Sequence, residues 1–136
     1  MPYFFHVPSV SPRLRLDAPS EVQSGATLPI VLRVENPADR PLDLYLRGRA
    51  IEFDVVAAAD DGRVVWRKLE GQVIPAILRL ETLAPGGVLE LRTEWDQRTN
   101  DGRRVPAGSY TIRGLLLTDS ETPLASPPTR LRILPR

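Results

Sequence analysis

Cysteine is absent from the 136 residues, and the single histidine, His6, stands near the start. Without thiols there is no disulfide, no thiolate nucleophile, no iron-sulfur cluster and no cysteine-ligated zinc. One histidine in that position builds neither a His-rich metal site nor a Ser-His or Cys-His catalytic pair. Charge of one sign is equally scarce. With 18 basic against 17 acidic side chains the net charge is +1, too little to gather nucleic acid or an anionic membrane. Aromatics make up 6% of the chain, so few rings are available to stack on bases. No apolar run is long enough to span a bilayer, and residues 1–12 lack the basic and then apolar order of a signal peptide. These absences lead us to expect a cytoplasmic protein that is no enzyme, holds no cofactor or metal, and has neither nucleic acid nor membrane as partner.

Proline, by contrast, is abundant: 14 residues, roughly twice ordinary usage. Helices are therefore broken repeatedly, and the apolar residues recur at every second position, the period of a half-buried strand. Leu14 and Leu16 form one such set, and Leu28, Ile30, Leu32 and Val34 a second that stops at Asn36-Pro37. Leu42, Leu44 and Leu46 are separated by a bend at Arg47-Gly48-Arg49 from Ile51, Phe53, Val55 and Ala57. Asp60-Asp61-Gly62 is a hairpin turn returning through Val64, Val65 and Trp66. Leu89, Leu91, Thr93 and Trp95, then Tyr110, Ile112 and Leu116, then Leu131 and Ile133, complete the series. About eight or nine strands at such spacing predict an all-β, immunoglobulin-like antiparallel β-sandwich. We expect one domain over residues 13–136, preceded by an N-terminal tail, residues 1–12. Residues 68–83 are the hardest to read, and Val73, Ile74, Ile77, Leu78 and Leu80 fit either a strand or a short helical turn beyond Pro75.

The local motifs read as turn and core chemistry. Ala84-Pro85-Gly86-Gly87 fits a type II turn, with Pro85 fixing φ and Gly86 accepting a positive value. A phosphate loop would need a helix after the glycines, whereas a strand pattern follows. Asp96, Asn100 and Asp101 resemble a calcium loop only superficially, since Arg98 takes a ligand position and no glutamate closes the cage. Gly108-Ser109-Tyr110 after Pro106 has the form of a tyrosine corner, with Ile112 where an immunoglobulin domain carries cysteine. Trp66 and Trp95 are the large candidates for the core. Seventeen of the basic residues are arginine, grouped at Arg47 and Arg49, at Arg63, Arg67 and Lys68, and at Arg103 and Arg104.

Taken in order, Val34-Glu35-Asn36, Phe53-Asp54-Val55, Asp61-Gly62-Arg63-Val64-Val65-Trp66-Arg67, Leu83-Ala84-Pro85-Gly86, Trp95 and Val105-Pro106-Ala107-Gly108-Ser109-Tyr110 resemble the intracellular proteinase inhibitor family typified by the Bacillus inhibitor BsuPI. The resemblance runs over residues 30–117. It implies an immunoglobulin-like sandwich and non-covalent inhibition of an intracellular subtilisin-like serine protease as protein partner. It also marks Trp66, Pro85, Gly86, Trp95, Gly108 and Tyr110 as structural positions. The chain departs from the family at Lys68, Leu69 and Glu70, followed by Val73 and Ile74, where relatives tend to carry Ser and then Phe, and at Gly87, often Glu.

An inhibitor of this kind offers a stiff loop to the protease cleft. The first candidate contact loop is 96–106: Asp96, Gln97, Arg98, Thr99, Asn100, Asp101, Gly102, Arg103, Arg104, Val105 and Pro106. Residues 68–75 are second and residues 119–128, stiffened by Pro123, Pro127 and Pro128, third. The alternative function is a non-inhibitory immunoglobulin-like module that binds another protein through an edge strand or loop.

Overall fold

The computed structural model describes residues 11–136, so His6 and all but the last two residues of the expected tail lie outside the described residues. The elements in order are β1 (Arg13–Asp17), β2 (Glu21–Gln23), β3 (Leu28–Glu35), β4 (Leu42–Arg47), β5 (Phe53–Ala59), β6 (Val64–Arg67), β7 (Leu78–Leu83), β8 (Val88–Trp95), β9 (Gly108–Leu116), β10 (Leu124–Ala125) and β11 (Thr129–Leu134). One sheet has the order β1-β3-β8 and the facing sheet β2-β11-β9-β5-β6, with β10 beside β9; β4 and β7 form a separate ribbon. This is an immunoglobulin-like β-sandwich, and no helix occurs among the described residues.

The period of two places the core. Leu28, Ile30, Leu32 and Val34 of β3 are almost completely buried, and Leu14 and Leu16 join them from β1. From β9 come Tyr110, Ile112 and Leu116, and from β11 Leu131 and Ile133. Each such aliphatic side chain contributes about 1.5–3 kcal/mol on burial. In the inward row of β9 stands Gly114, whose missing Cβ would lie 2.7 Å from Leu32 Cδ1; a side chain there would force the two layers apart. The opposite face of β1-β3-β8 is a solvated charge ladder. Arg33 bonds Asp17 and, at 2.6 Å, Glu90, and the bonds to Asp17 and then Glu90 hold it still more firmly protonated.

Two of the observed strands were not expected, and a third resolves a stretch left open between strand and helical turn. β2 and β10 are too short to show a period, and β10 falls in the connection expected as a stiff loop. β7 emerges from the ambiguous stretch as a strand from Leu78 onward, with no helical turn. Ile51, expected within a strand, precedes β5, which starts at Phe53. Pro29 lies inside β3, at a place where β8 is the only neighbour because β1 has ended opposite Val31, so a residue without an N–H is tolerated.

Two buried polar side chains hold the joints. Asn36, 1% exposed, ends β3 where the chain enters the β4–β7 ribbon. Its Nδ2 donates to the carbonyls of Arg40, Leu83 and Ala84, and its Oδ1 accepts from Ala38 N–H. Asp54 Oδ1 accepts from the N–H groups of Val55 and Leu69, fixing the turn after β6. The turn between β7 and β8 is closed by Gly87 N–H donating to Ala84 O at 2.8 Å, with Gly86 at φ +71 as the third residue. That geometry is the type II turn read from the sequence.

Candidate functional site

The connection 96–106 is a small, braced hairpin rather than an open loop. Arg98 and Arg104 form an antiparallel bridge, Thr99 N–H donates to Arg103 O, and Gly102 N–H donates to Thr99 O. Thr99 Oγ1 also bonds the Asp101 carboxylate, and that bond, with Arg103 nearby, holds Asp101 below the usual carboxylate range. At the base Val105 N–H donates to Gln97 O.

Gln97 and Val105 are both buried, so of the eleven residues expected to contact a protease these two hold the hairpin from inside. Gln97 has φ +63 and a side chain that is 0% exposed. Its Nε2 donates to the carbonyls of Gln23 and Ala26 at 2.8 and 2.7 Å, and its Oε1 accepts from Gly25 N–H. The hairpin is thereby tied to the turn between β2 and β3. No sequence feature marked this role.

Aromatic residues support the same hairpin. Trp95, 1% exposed, donates its Nε1–H to Arg98 O and stacks on half-buried Trp66 at 5.5 Å between ring centroids. Tyr110 meets Trp95 edge-on at 6.4 Å and donates its hydroxyl to Pro106 O at 2.5 Å. Burial is the main cause that raises the Tyr110 phenol above its ordinary value, with Arg63 opposing and Asp60 adding to the shift. On the outer side Asn100 reaches β6: it donates to Arg67 O and accepts from Arg67 N–H, as a neighbouring strand would. Between β6 and the hairpin runs a groove of about 640 Å³.

The other two expected loops differ from this one. In residues 119–128 the chain is stitched to its neighbours: Asp119 N–H donates to Tyr45 O, β10 pairs with β9, and buried Ser126 exchanges hydrogen bonds with Gly114. The second loop begins with a turn at Lys68–Gly71 and then runs to β7 without regular secondary structure. Among the described residues, the backbone of Val73, Ile74, Pro75 and Ala76 makes no hydrogen bond to other backbone groups. Val73 is 93% exposed. The segment is anchored on either side by Gln72 N–H donating to Leu69 O and by Gly48 N–H donating to Ile77 O. No group of three or more His, Asp or Glu side chains placed to hold a metal is found among the described residues.

The family described as BsuPI, intracellular proteinase inhibitor, matches residues 14–121. The chain belongs to this family. The BsuPI match runs from Leu14 of β1 through β9, taking in the hairpin and the segment 72–77, and reaches further toward the N-terminus than the motifs alone suggested. No curated protein matches this BsuPI member in sequence. Among solved structures, the CARDB domain of the PF1109 protein from Pyrococcus furiosus, in complex with di-metal ions, has TM-score 0.50 and 10% identity over 97% of this chain and 100% of that one. The alkylpurine DNA glycosylase AlkC of Pseudomonas fluorescens bound to DNA gives TM-score 0.47 and 15% identity, over 92% of this chain and 31% of that one. A β-glucosidase from Listeria innocua gives 0.46 and 13%, over 91% and 16%. At these identities the CARDB likeness is one of fold.

Proposed function

We propose that this BsuPI protein is a cytoplasmic, non-covalent inhibitor of a subtilisin-like serine protease, and that residues 72–77 enter the cleft. The observation that carries the reading is the stretch from Val73 to Ala76, in which Val73 is 93% exposed and, among the described residues, no backbone group bonds another backbone group. A protease cleft takes its substrates as extended strands and reads them by main-chain pairing. The hairpin 96–106, first choice on sequence grounds, already spends its backbone groups on itself, so the second of the expected loops suits the cleft better.

Stiffness supports the same choice. Pro75 fixes its own φ and keeps Ile74 extended, and the anchors at Leu69 and Gly48 limit the ordering cost on binding. A segment already held in the bound shape also leaves the scissile bond slowly and refits after a rare cleavage. Val73 supplies an apolar side chain for the cleft, at a place where this chain departs from its family. Replacing it by aspartate puts a charge into an apolar subsite, and the inhibition constant should rise at least tenfold. Replacing Arg103 and Arg104 by alanine should leave that constant unchanged. The reverse pattern would return the contact to the hairpin.

A further inference from the structure

The groove between β6 and the hairpin is the other unassigned feature of this surface. Among the described residues β6 is an edge strand with β5 as its one neighbour, and at the bulge in that pairing Val65 is skipped. Asn100 covers the open edge only at Arg67. Arg63, Arg67, Arg103 and Arg104 line the groove against two acids, Glu70 and Asp101. Among the described residues, Arg103 pairs with Asp101 at 3.4 Å, while Arg63, Arg67 and Arg104 have no carboxylate within ion-pair distance. In a chain of net charge +1, this is a local excess of guanidinium groups beside an uncovered strand edge.

We propose that the groove binds an extended, carboxylate-bearing polypeptide segment, which adds to the free edge of β6 beyond Asn100 while its acidic side chains meet Arg63 and Arg67. Strand addition supplies main-chain hydrogen bonds and the flanking side chains supply selectivity; arginine forks pair with carboxylates in two-pronged geometry. Nucleic acid fits less well. It cannot use a strand edge, and the floor of the groove offers the aliphatic Val64 and Val65 rather than rings for stacking bases. The proposal is independent of protease inhibition, since it uses neither Val73 nor the segment around it.

The test is fluorescence anisotropy at low salt with a fluorescein-labelled, acetylated peptide of alternating Glu and Val, its Lys-Val counterpart, and a single-stranded oligothymidylate. These are followed by amide chemical shifts of the full chain. The Glu-Val peptide should bind, move the Val64, Val65 and Trp66 amides, and weaken as salt screens the charges. Arg63→Glu and, separately, Arg67→Glu should each weaken binding at least tenfold with the melting temperature unchanged. Equal binding of the Lys-Val peptide, shifts confined to other strands, or charge reversals without effect would overturn the proposal. Preference for the oligothymidylate over the acidic peptide would reassign the groove to nucleic acid. If inhibition by the same variants stays intact while peptide binding is lost, the groove and the protease-contact segment are separate sites.

Discussion

Gln97 shows how much one side chain can organise. Its amide satisfies the carbonyls of Gln23 and Ala26, which lie 74 and 71 positions away in the chain. Truncation to alanine removes both bonds from these part-buried carbonyls and leaves a hole where the Gln97 side chain was; the expected loss is about 1–3 kcal/mol, read from urea unfolding. Asp96, its exposed neighbour, should cost within about 0.5 kcal/mol when replaced by alanine. Tyr110 carries a pH signature. Because burial raises its pKa above the ordinary 10.0, the unfolded chain ionises first. Its contribution is complete below about pH 10 and is lost as pH climbs through the folded value. Tyr110→Phe should cost about 0.5–1.5 kcal/mol at neutral pH by removing the bond to Pro106 and should flatten the alkaline decline in stability. Ultraviolet titration of the phenols checks the assignment, and a Tyr110 that ionises together with exposed Tyr45 would contradict it.

At the level of elements, the strands with a clean alternation were legible because one face of each is buried: β3 with Leu28, Ile30, Leu32 and Val34 is the plainest case. Turns with a chemical requirement were legible too, as at Pro85 and Gly86. The segment 68–83 was not, since Val73, Ile77, Leu78 and Leu80 are apolar yet exposed, which breaks the link between hydrophobicity and burial that periodicity relies on. That same break is what recommends the segment as the proposed contact surface. Nor could the sequence reveal how firmly 96–106 is held to the frame, because its outer braces come from β2, β6 and β9. Pro75 is the element's stiffener. Pro75→Gly widens the conformations open to the segment, at a cost of about 1 kcal/mol or less in fixed order. Weaker inhibition should accompany cleavage within residues 72–77, detectable by mass spectrometry; intact chain and unchanged inhibition would argue against the segment.

For the whole molecule, the sandwich is a frame that separates two kinds of surface. A disulfide-free core built from β3, β9 and β11 supplies rigidity, and chemistry-poor composition leaves recognition as the work of loops and edges. Family membership assigns a protease partner in outline, while residues 72–77 and the arginine-lined groove are the two places proposed for contact. The central claim is tested most directly by titrating the full-length protein against the subtilisin-like serine protease of the same cell and following peptide-substrate hydrolysis. The account predicts dose-dependent loss of activity that ends near one inhibitor per protease, with the inhibitor recovered intact. Undiminished turnover at high micromolar protein, or steady digestion of the chain as a substrate, would contradict it.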